Sequence, residues 1–296
     1  MTPSPVLLDY TLIGRRGAQP ILFLHGITGS RRYFQRKARR LAERWQLFLP
    51  DLPGFGQSPK PRVEYTMPFY RDAVRRTVEA AGLDQKPLHI VAHSLGACIA
   101  LEYSVAYPEN VDRMVLLGVP RFADPRVAHG HFWRGSPNYR RLLNEHSMAE
   151  NWAQWRRSGL AMAVQYMFRF PLSVIADSRK FTLNSLTSTL EHCLLNYRVD
   201  EVLEKHPRHP IRLLHGRLDQ VAPFENIEEL PRLYPNMDLH AVEDSGHHIF
   251  LTHTRFCLRL IEEHLGGETV PIPSGKQRGA ASHKAAPPGD VAARKA

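Results

Sequence analysis

A chain of 296 residues with 43% hydrophobic content is long enough for one large α/β domain or two modest ones with a sizeable core. No stretch approaches the roughly 20 uninterrupted apolar residues of a membrane-spanning helix, and Met1–Leu8 lacks the basic start and long apolar run of a secretory signal, so the expected location is the cytoplasm, with no membrane partner. The formal net charge of +10 raises the question of nucleic acid, but no nucleic-acid motif accompanies it, and nucleic acid is not an expected partner.

Three cysteines, Cys98, Cys193 and Cys257, are far apart and lack metal spacing, which fits a reducing compartment and no metal site. Part of the basic excess sits in the last residues, and part in Arg31, Arg32, Arg36, Lys37, Arg39, Arg40 and Arg44. Both read as solvated surface.

Val6–Ile13 reads as an outer strand, followed by a turn at Gly14-Arg15-Arg16-Gly17. Short apolar runs then alternate with helix-period segments, the pattern of a mostly parallel sheet flanked by helices. The runs are Ile21–Leu24, Leu47–Pro50, Leu88–Ala92, Met114–Leu117, Ile211–His215 and Leu239–Val242. Between the first two, Phe34, Ala38, Leu41, Ala42 and Trp45 predict one helix with an apolar face. Met67, Tyr70, Val74, Thr77, Val78 and Ala81 predict a second. A third begins at Ser94 and stops near Tyr107, because Pro108 cannot continue it. Residues 121–208 break the alternation: they are helix-like and rich in large apolar side chains, as an inserted lid would be. The last helix runs from Thr254 to Leu265 and is capped by Gly266 and Gly267. The chain beyond is rich in Pro, Gly, Ala and Lys without a core pattern and is expected to be disordered.

Four segments carry chemistry. In Leu88-His89-Ile90-Val91-Ala92-His93-Ser94-Leu95-Gly96-Ala97, an apolar strand runs into a small–x–Ser–x–small turn and then a helix. A nucleophile elbow needs small residues on both sides of the serine because neighbouring backbones nearly touch there. The usual first glycine is Ala92 here, the smallest available change. In Ile21-Leu22-Phe23-Leu24-His25-Gly26-Ile27-Thr28-Gly29-Ser30, a strand ends in His-Gly and enters a flexible loop. Acyl transfer needs two backbone N–H groups aimed at the developing oxyanion; Leu95 and Ile27 are placed to supply them. His25 reads as a brace for that loop.

The third segment, Leu213-Leu214-His215-Gly216-Arg217-Leu218-Asp219, sets an aspartate a few residues after a strand. The fourth, Asp244-Ser245-Gly246-His247-His248, places a histidine between the last strand and last helix. The chain order Ser94, Asp219, His247 separates this pattern from other serine hydrolase lineages. Asp124, soon after the Met114–Leu117 run, is the alternative acid, and His248 the alternative base.

These motifs, with Asp51-Leu52-Pro53-Gly54-Phe55-Gly56-Gln57-Ser58 after the second run, resemble the α/β-hydrolase superfamily in its lidded esterase and C–C hydrolase branch. The resemblance covers about residues 6–265. It implies an α/β-hydrolase core built from residues 1–120 and 209–265, a helical cap over 121–208, and a tail over 266–296. It assigns Ser94 as nucleophile, His247, directly after Gly246, as base, and Asp219 as the orienting acid; Asp51 is then structural. No cofactor is required for such chemistry.

The expected reaction is hydrolysis of a small-molecule carboxylic ester or lactone with an apolar acyl or alcohol part. C–C bond hydrolysis, amide or peptide hydrolysis and acyl transfer on the same fold remain alternatives, as does a non-catalytic binding protein. The Gly-Pro-Gly-like stretch usual in C–C hydrolases is absent from Ile27-Thr28-Gly29-Ser30, and Ser94 disfavours the dehalogenases and epoxide hydrolases, whose nucleophile is Asp. Trp133, Trp152, Trp155 and Phe168 are the candidate pocket residues of the cap.

Overall fold

The computed structural model describes residues 6–135, 172–177 and 179–266. Among them are the strands β1 (Tyr10–Ile13), β2 (Pro20–Leu24), β3 (Gln46–Pro50), β4 (Leu88–His93), β5 (Val111–Leu117), β6 (Ile211–Gly216) and β7 (Met237–Val242). They form one sheet in the order β1-β3-β2-β4-β5-β6-β7. β1 pairs antiparallel with β3, and the other pairings are parallel.

Side chains alternate across the sheet, and both faces are covered. Ile21, Phe23, Leu47, Leu49, Val91, Val115, Leu117 and Leu214 join one cluster with Phe34, Leu41, Phe250, Cys257 and Ile261. Leu22, Leu24, Phe48, Ile90, Ala92, Met114, Leu116 and Leu213 join the other with Tyr70, Val74, Ile99, Leu186 and Leu203. Burial on both faces is why these strands read as unbroken apolar runs instead of an apolar–polar alternation.

Two sequence expectations are corrected. The outer strand starts at Tyr10 and not at Val6. Ahead of it, the Leu8 N–H donates to Thr77 Oγ1 at 3.1 Å and the Asp9 N–H to Ser58 Oγ at 2.9 Å. Those donors go to side chains, so the ladder stops there apart from the Asp51 N–H, which donates to the Asp9 carbonyl at 2.8 Å. The single helix after β2 is instead α1 (Arg32–Gln35) followed by a 3₁₀ turn over Ala38–Glu43. The basic cluster therefore spans two short pieces.

The second helix, α2 (Met67–Ala80), begins where Thr66 accepts from the Phe69 N–H, with Pro68 in its first turn. It buries Met67, Tyr70, Ala73, Val74, Thr77 and Val78 along one stripe. Between β5 and β6 lie α4 (Pro125–Gly135) and the helices Leu172–Asp177, Leu183–Leu190 and Val199–Lys205. They are tied to the sheet domain by side chains: Ser30 Oγ donates to Asp177 Oδ2 at 2.7 Å, Ser185 Oγ donates to the Gly54 carbonyl at 3.0 Å, and Tyr70 and Thr189 hydroxyls meet at 2.6 Å. Trp152, Trp155 and Phe168 lie outside the described residues. So does the expected tail, apart from Gly266, which closes the helix Thr254–Gly266.

Several histidines are buried in this core. Burial pushes His89 and His206 down to about 4 and His248 to about 3, and lowers His25 and His93 as well, from an ordinary 6.5. Each takes up a proton more readily in the unfolded chain. Their contribution to stability is complete above pH 6.5 and is lost as the pH falls from there through about 4. Melting temperature is expected to drop steadily from pH 6.5 to pH 5; an unchanged value over that range contradicts the reading.

Candidate active site

The site is built from the ends of four strands. β4 ends at His93, and Ser94 adopts φ 54° and ψ −120° before Leu95 opens the helix α3 (Leu95–Ala106). Two residues on, Gly96 sits against β2: a Cβ there would lie 2.3 Å from the Leu24 carbonyl oxygen. That approach brings the start of α3 against the loop after β2. Gly96→Ala is expected to destabilise the protein at the upper end of the roughly 1–3 kcal/mol typical of overpacking, because backbone and not a flexible side chain must yield. A urea melt of the variant tests this; an unchanged midpoint contradicts the packing.

His247 lies in the loop after β7. Its Nε2 is 3.0 Å from Ser94 Oγ, and its Nδ1 is 2.8 Å from Asp219 Oδ2. An ionised carboxylate only accepts, so Nδ1 carries the hydrogen and Nε2 is left to accept from the serine hydroxyl. Asp219 sits in the turn after β6. Its Oδ1 accepts from the Val221 and Ala222 N–H groups, both at 2.9 Å. Burial pushes its carboxyl up, but hydrogen bonds from His215 and His247, the His247 charge and the Ala222 N–H outweigh this and hold it well below the usual carboxylate range.

Two further contacts fix His247. His93 Nε2–H donates to the His247 carbonyl at 2.9 Å, and its ring stacks on Tyr33 at 4.6 Å. At the end of β5, Gly118 has φ +58°, and a Cβ there would approach His247 Cε1 and Nδ1 to 3.2 Å. Only glycine combines that conformation with that clearance.

The loop after β2 faces Ser94. Gly29 N–H donates to the Gly26 carbonyl at 3.0 Å, closing a turn that contains Ile27 and Thr28. His25 Nδ1–H donates to the same carbonyl at 2.8 Å, and the Leu52 N–H donates to His25 Nε2 at 2.9 Å. The Arg31 N–H donates to Asp51 Oδ1 at 2.7 Å. His25 and Asp51 thus hold the loop. The Leu95 N–H, first in its helix, has no carbonyl four residues back within that helix to accept it.

The other sequence candidates separate clearly. Asp124 accepts from the Val127 N–H at 2.9 Å at the start of α4, away from His247. His248 turns its ring toward His93 and Tyr33. Cys98 is buried, and burial pushes its thiol up. Trp133, on α4, is 49% exposed. α4 contacts the acid turn through His131 Nε2, 2.9 Å from the Gln220 carbonyl. Sequence reading assigned no role to His93, Gly118 or His215. The signal available for the last was a second His-Gly at a strand end, matching His25-Gly26.

A family profile for the alpha/beta hydrolase fold matches residues 19–254. Lipase 1 of Psychrobacter immobilis is 23% identical over 80% of this chain and 74% of its own length. The pimeloyl-[acyl-carrier protein] methyl ester esterase of Methylococcus capsulatus is 31% identical over 75% of this chain and 85% of its own. Among solved structures, an esterase from Exiguobacterium antarcticum superposes with a TM-score of 0.69 at 18% identity, covering 88% of this chain and 96% of that one. Among the described residues, no helix is long and apolar enough to cross a membrane.

Proposed function

The chain belongs to the α/β-hydrolase fold family, and we propose that it is a serine hydrolase cleaving a carboxylic ester or lactone. One observation carries the reading: Ser94 Oγ, His247 and Asp219 Oδ2 stand in line at 3.0 and 2.8 Å, contributed by three separate strand ends. The lipase and methyl ester esterase among its relatives support the ester class.

In the first half-reaction, His247 Nε2 takes the Ser94 proton as Oγ attacks the carbonyl carbon. Negative charge then develops on the carbonyl oxygen and is met by the Leu95 and Ile27 N–H groups. The imidazolium, held by Asp219, gives its proton to the departing alcohol. In the second half-reaction, His247 deprotonates water, which attacks the acyl carbon; the imidazolium then returns that proton to Ser94 Oγ as the acid is released. Asp219 stays ionised throughout and holds the tautomer.

The helices between β5 and β6 act in this reading as the cap over the site, with Trp133 among the residues bearing on the apolar part of the ester. Three free, buried cysteines support a reducing compartment, the cytoplasm. The test is a panel of p-nitrophenyl esters of increasing acyl length, run beside matched amides and a ring-cleavage dienoate. Ester turnover whose rate saturates with substrate concentration, giving a kcat and a KM, is expected. Turnover of the amide or the dienoate alone overturns the ester assignment. Within the ester panel, Trp133→Ala is expected to change the ratio of short to medium acyl kcat/KM by about tenfold, the worth of about 1–3 kcal/mol of lost apolar contact. An unchanged ratio removes Trp133 from the pocket.

A further inference from the structure

His215 ends the apolar run of β6, one residue before Gly216, and is almost completely buried. Its Nε2 lies 2.7 Å from the Ala222 carbonyl oxygen, across the turn that carries Asp219. The same nitrogen is 3.2 Å from Asp219 Oδ2, the oxygen that also meets His247 Nδ1 at 2.8 Å. Both neighbours of Nε2 are acceptors, so Nε2 must carry a hydrogen in either charge state of the ring.

Two consequences follow. The bond to Ala222 closes the loop His215–Ala222 around Asp219, so the Val221 and Ala222 N–H groups that hold Oδ1 are themselves held. The residual positive edge of the same N–H lies beside Oδ2 and limits its rotation away from His247. The ring is packed in place by Phe224, edge to face at 6.0 Å, and the Arg217 guanidinium lies 4.3 Å over that phenyl ring. Backbone bonds also hold the turn: Arg217 N–H donates to the Val242 carbonyl and Leu218 N–H to the Ser245 carbonyl, both at 2.9 Å.

We propose that His215 is a positioning residue for the reaction: by donating from Nε2 to the Ala222 carbonyl beside Asp219, it sets the acid turn so that Oδ2 faces His247 Nδ1. The inference rests on the Ser94–His247–Asp219 reading above. His215 touches no reacting atom and acts only through Asp219.

A pair of polar variants isolates the donor. In His215→Gln the amide N–H₂ reaches about as far as Nε2; in His215→Asn it is one methylene short. The Asn variant is expected to lose tenfold or more in kcat with KM within twofold of the parent, and the Gln variant to stay within threefold in both. The low-field proton resonance of the His247–Asp219 hydrogen bond is expected at the parental position in the Gln variant and to be shifted or lost in the Asn variant. Parental kcat in the Asn variant, a loss confined to KM, or equal losses in both variants overturns the proposal. If the Asn variant does not fold, the Gln variant decides: parental kcat and resonance support the donor role, and a tenfold loss of kcat overturns it. Ser94→Ala, assayed alongside, separates the two claims. An inactive Ser94→Ala with an unimpaired Asn variant sinks only the role of His215, whereas an active Ser94→Ala sinks the reading beneath it.

Discussion

Ser94→Ala is expected to reduce kcat for ester hydrolysis by about 10⁶-fold, the loss seen when the nucleophile of a serine hydrolase is removed. Removing Oγ takes away the attacking atom, and no neighbouring side chain can substitute. Cys98 lies one helical turn away but is buried with its thiol pushed up, so no thiolate forms in its place. A fluorophosphonate should label the parent at Ser94 alone. Residual activity within a hundredfold of the parent, or labelling elsewhere, overturns the assignment. The same position carries backbone strain, since a non-glycine residue at φ 54° and ψ −120° costs about 1–3 kcal/mol. Ser94→Gly is therefore expected to be as inactive as Ser94→Ala yet to melt at a higher temperature than it. Equal melting temperatures would show that the elbow is unstrained.

Asp219→Asn is expected to reduce kcat by about 10⁴-fold with little change in KM. The asparagine oxygen can still accept from the Val221 and Ala222 N–H groups, so the turn survives. Its amide nitrogen then faces His247 Nδ1 and donates to it. The imidazole hydrogen is driven to Nε2, where the ring can no longer take the Ser94 proton. Asp124→Asn, which alters only a helix start, is expected to keep parental kcat. If the two substitutions exchange effects, the acid has been misassigned. The Asp219 carboxyl, held below its ordinary range, also contributes stability that is present above the carboxylate pKa of the unfolded chain, about 3.9, and is lost as the pH falls through its own lower value. This loss begins at lower pH than that of the buried histidines, which starts at 6.5.

The α/β architecture was legible because two-sided burial leaves apolar runs in the sequence, and because Pro108 marks the end of its helix through its own local chemistry. The elbow was legible for a related reason. A Cβ on Gly96 would lie 2.3 Å from the Leu24 carbonyl oxygen, so the position admits no side chain, and that exclusion is written directly into the sequence. The limits of β1 were not legible, because hydrogen bonds from Leu8 and Asp9 to Thr77 and Ser58 join residues 69 and 49 positions apart. Nor was the break between α1 and the 3₁₀ turn, since the apolar spacing of Phe34, Ala38 and Leu41 suits either winding.

Chain order and strand-end motifs, together with the family resemblance they carry, singled out Ser94, Asp219 and His247, because each sits in a pattern made by its own neighbours. What holds them in register came from the tertiary structure: His93 against the His247 carbonyl, Gly118 beneath the His247 ring, and His215 across the acid turn. A histidine on an apolar strand looks the same in sequence whether it fills space or positions a carboxylate. The difference is which acceptor lies within 3 Å of its ring nitrogen, and that is decided only when distant strands are brought side by side.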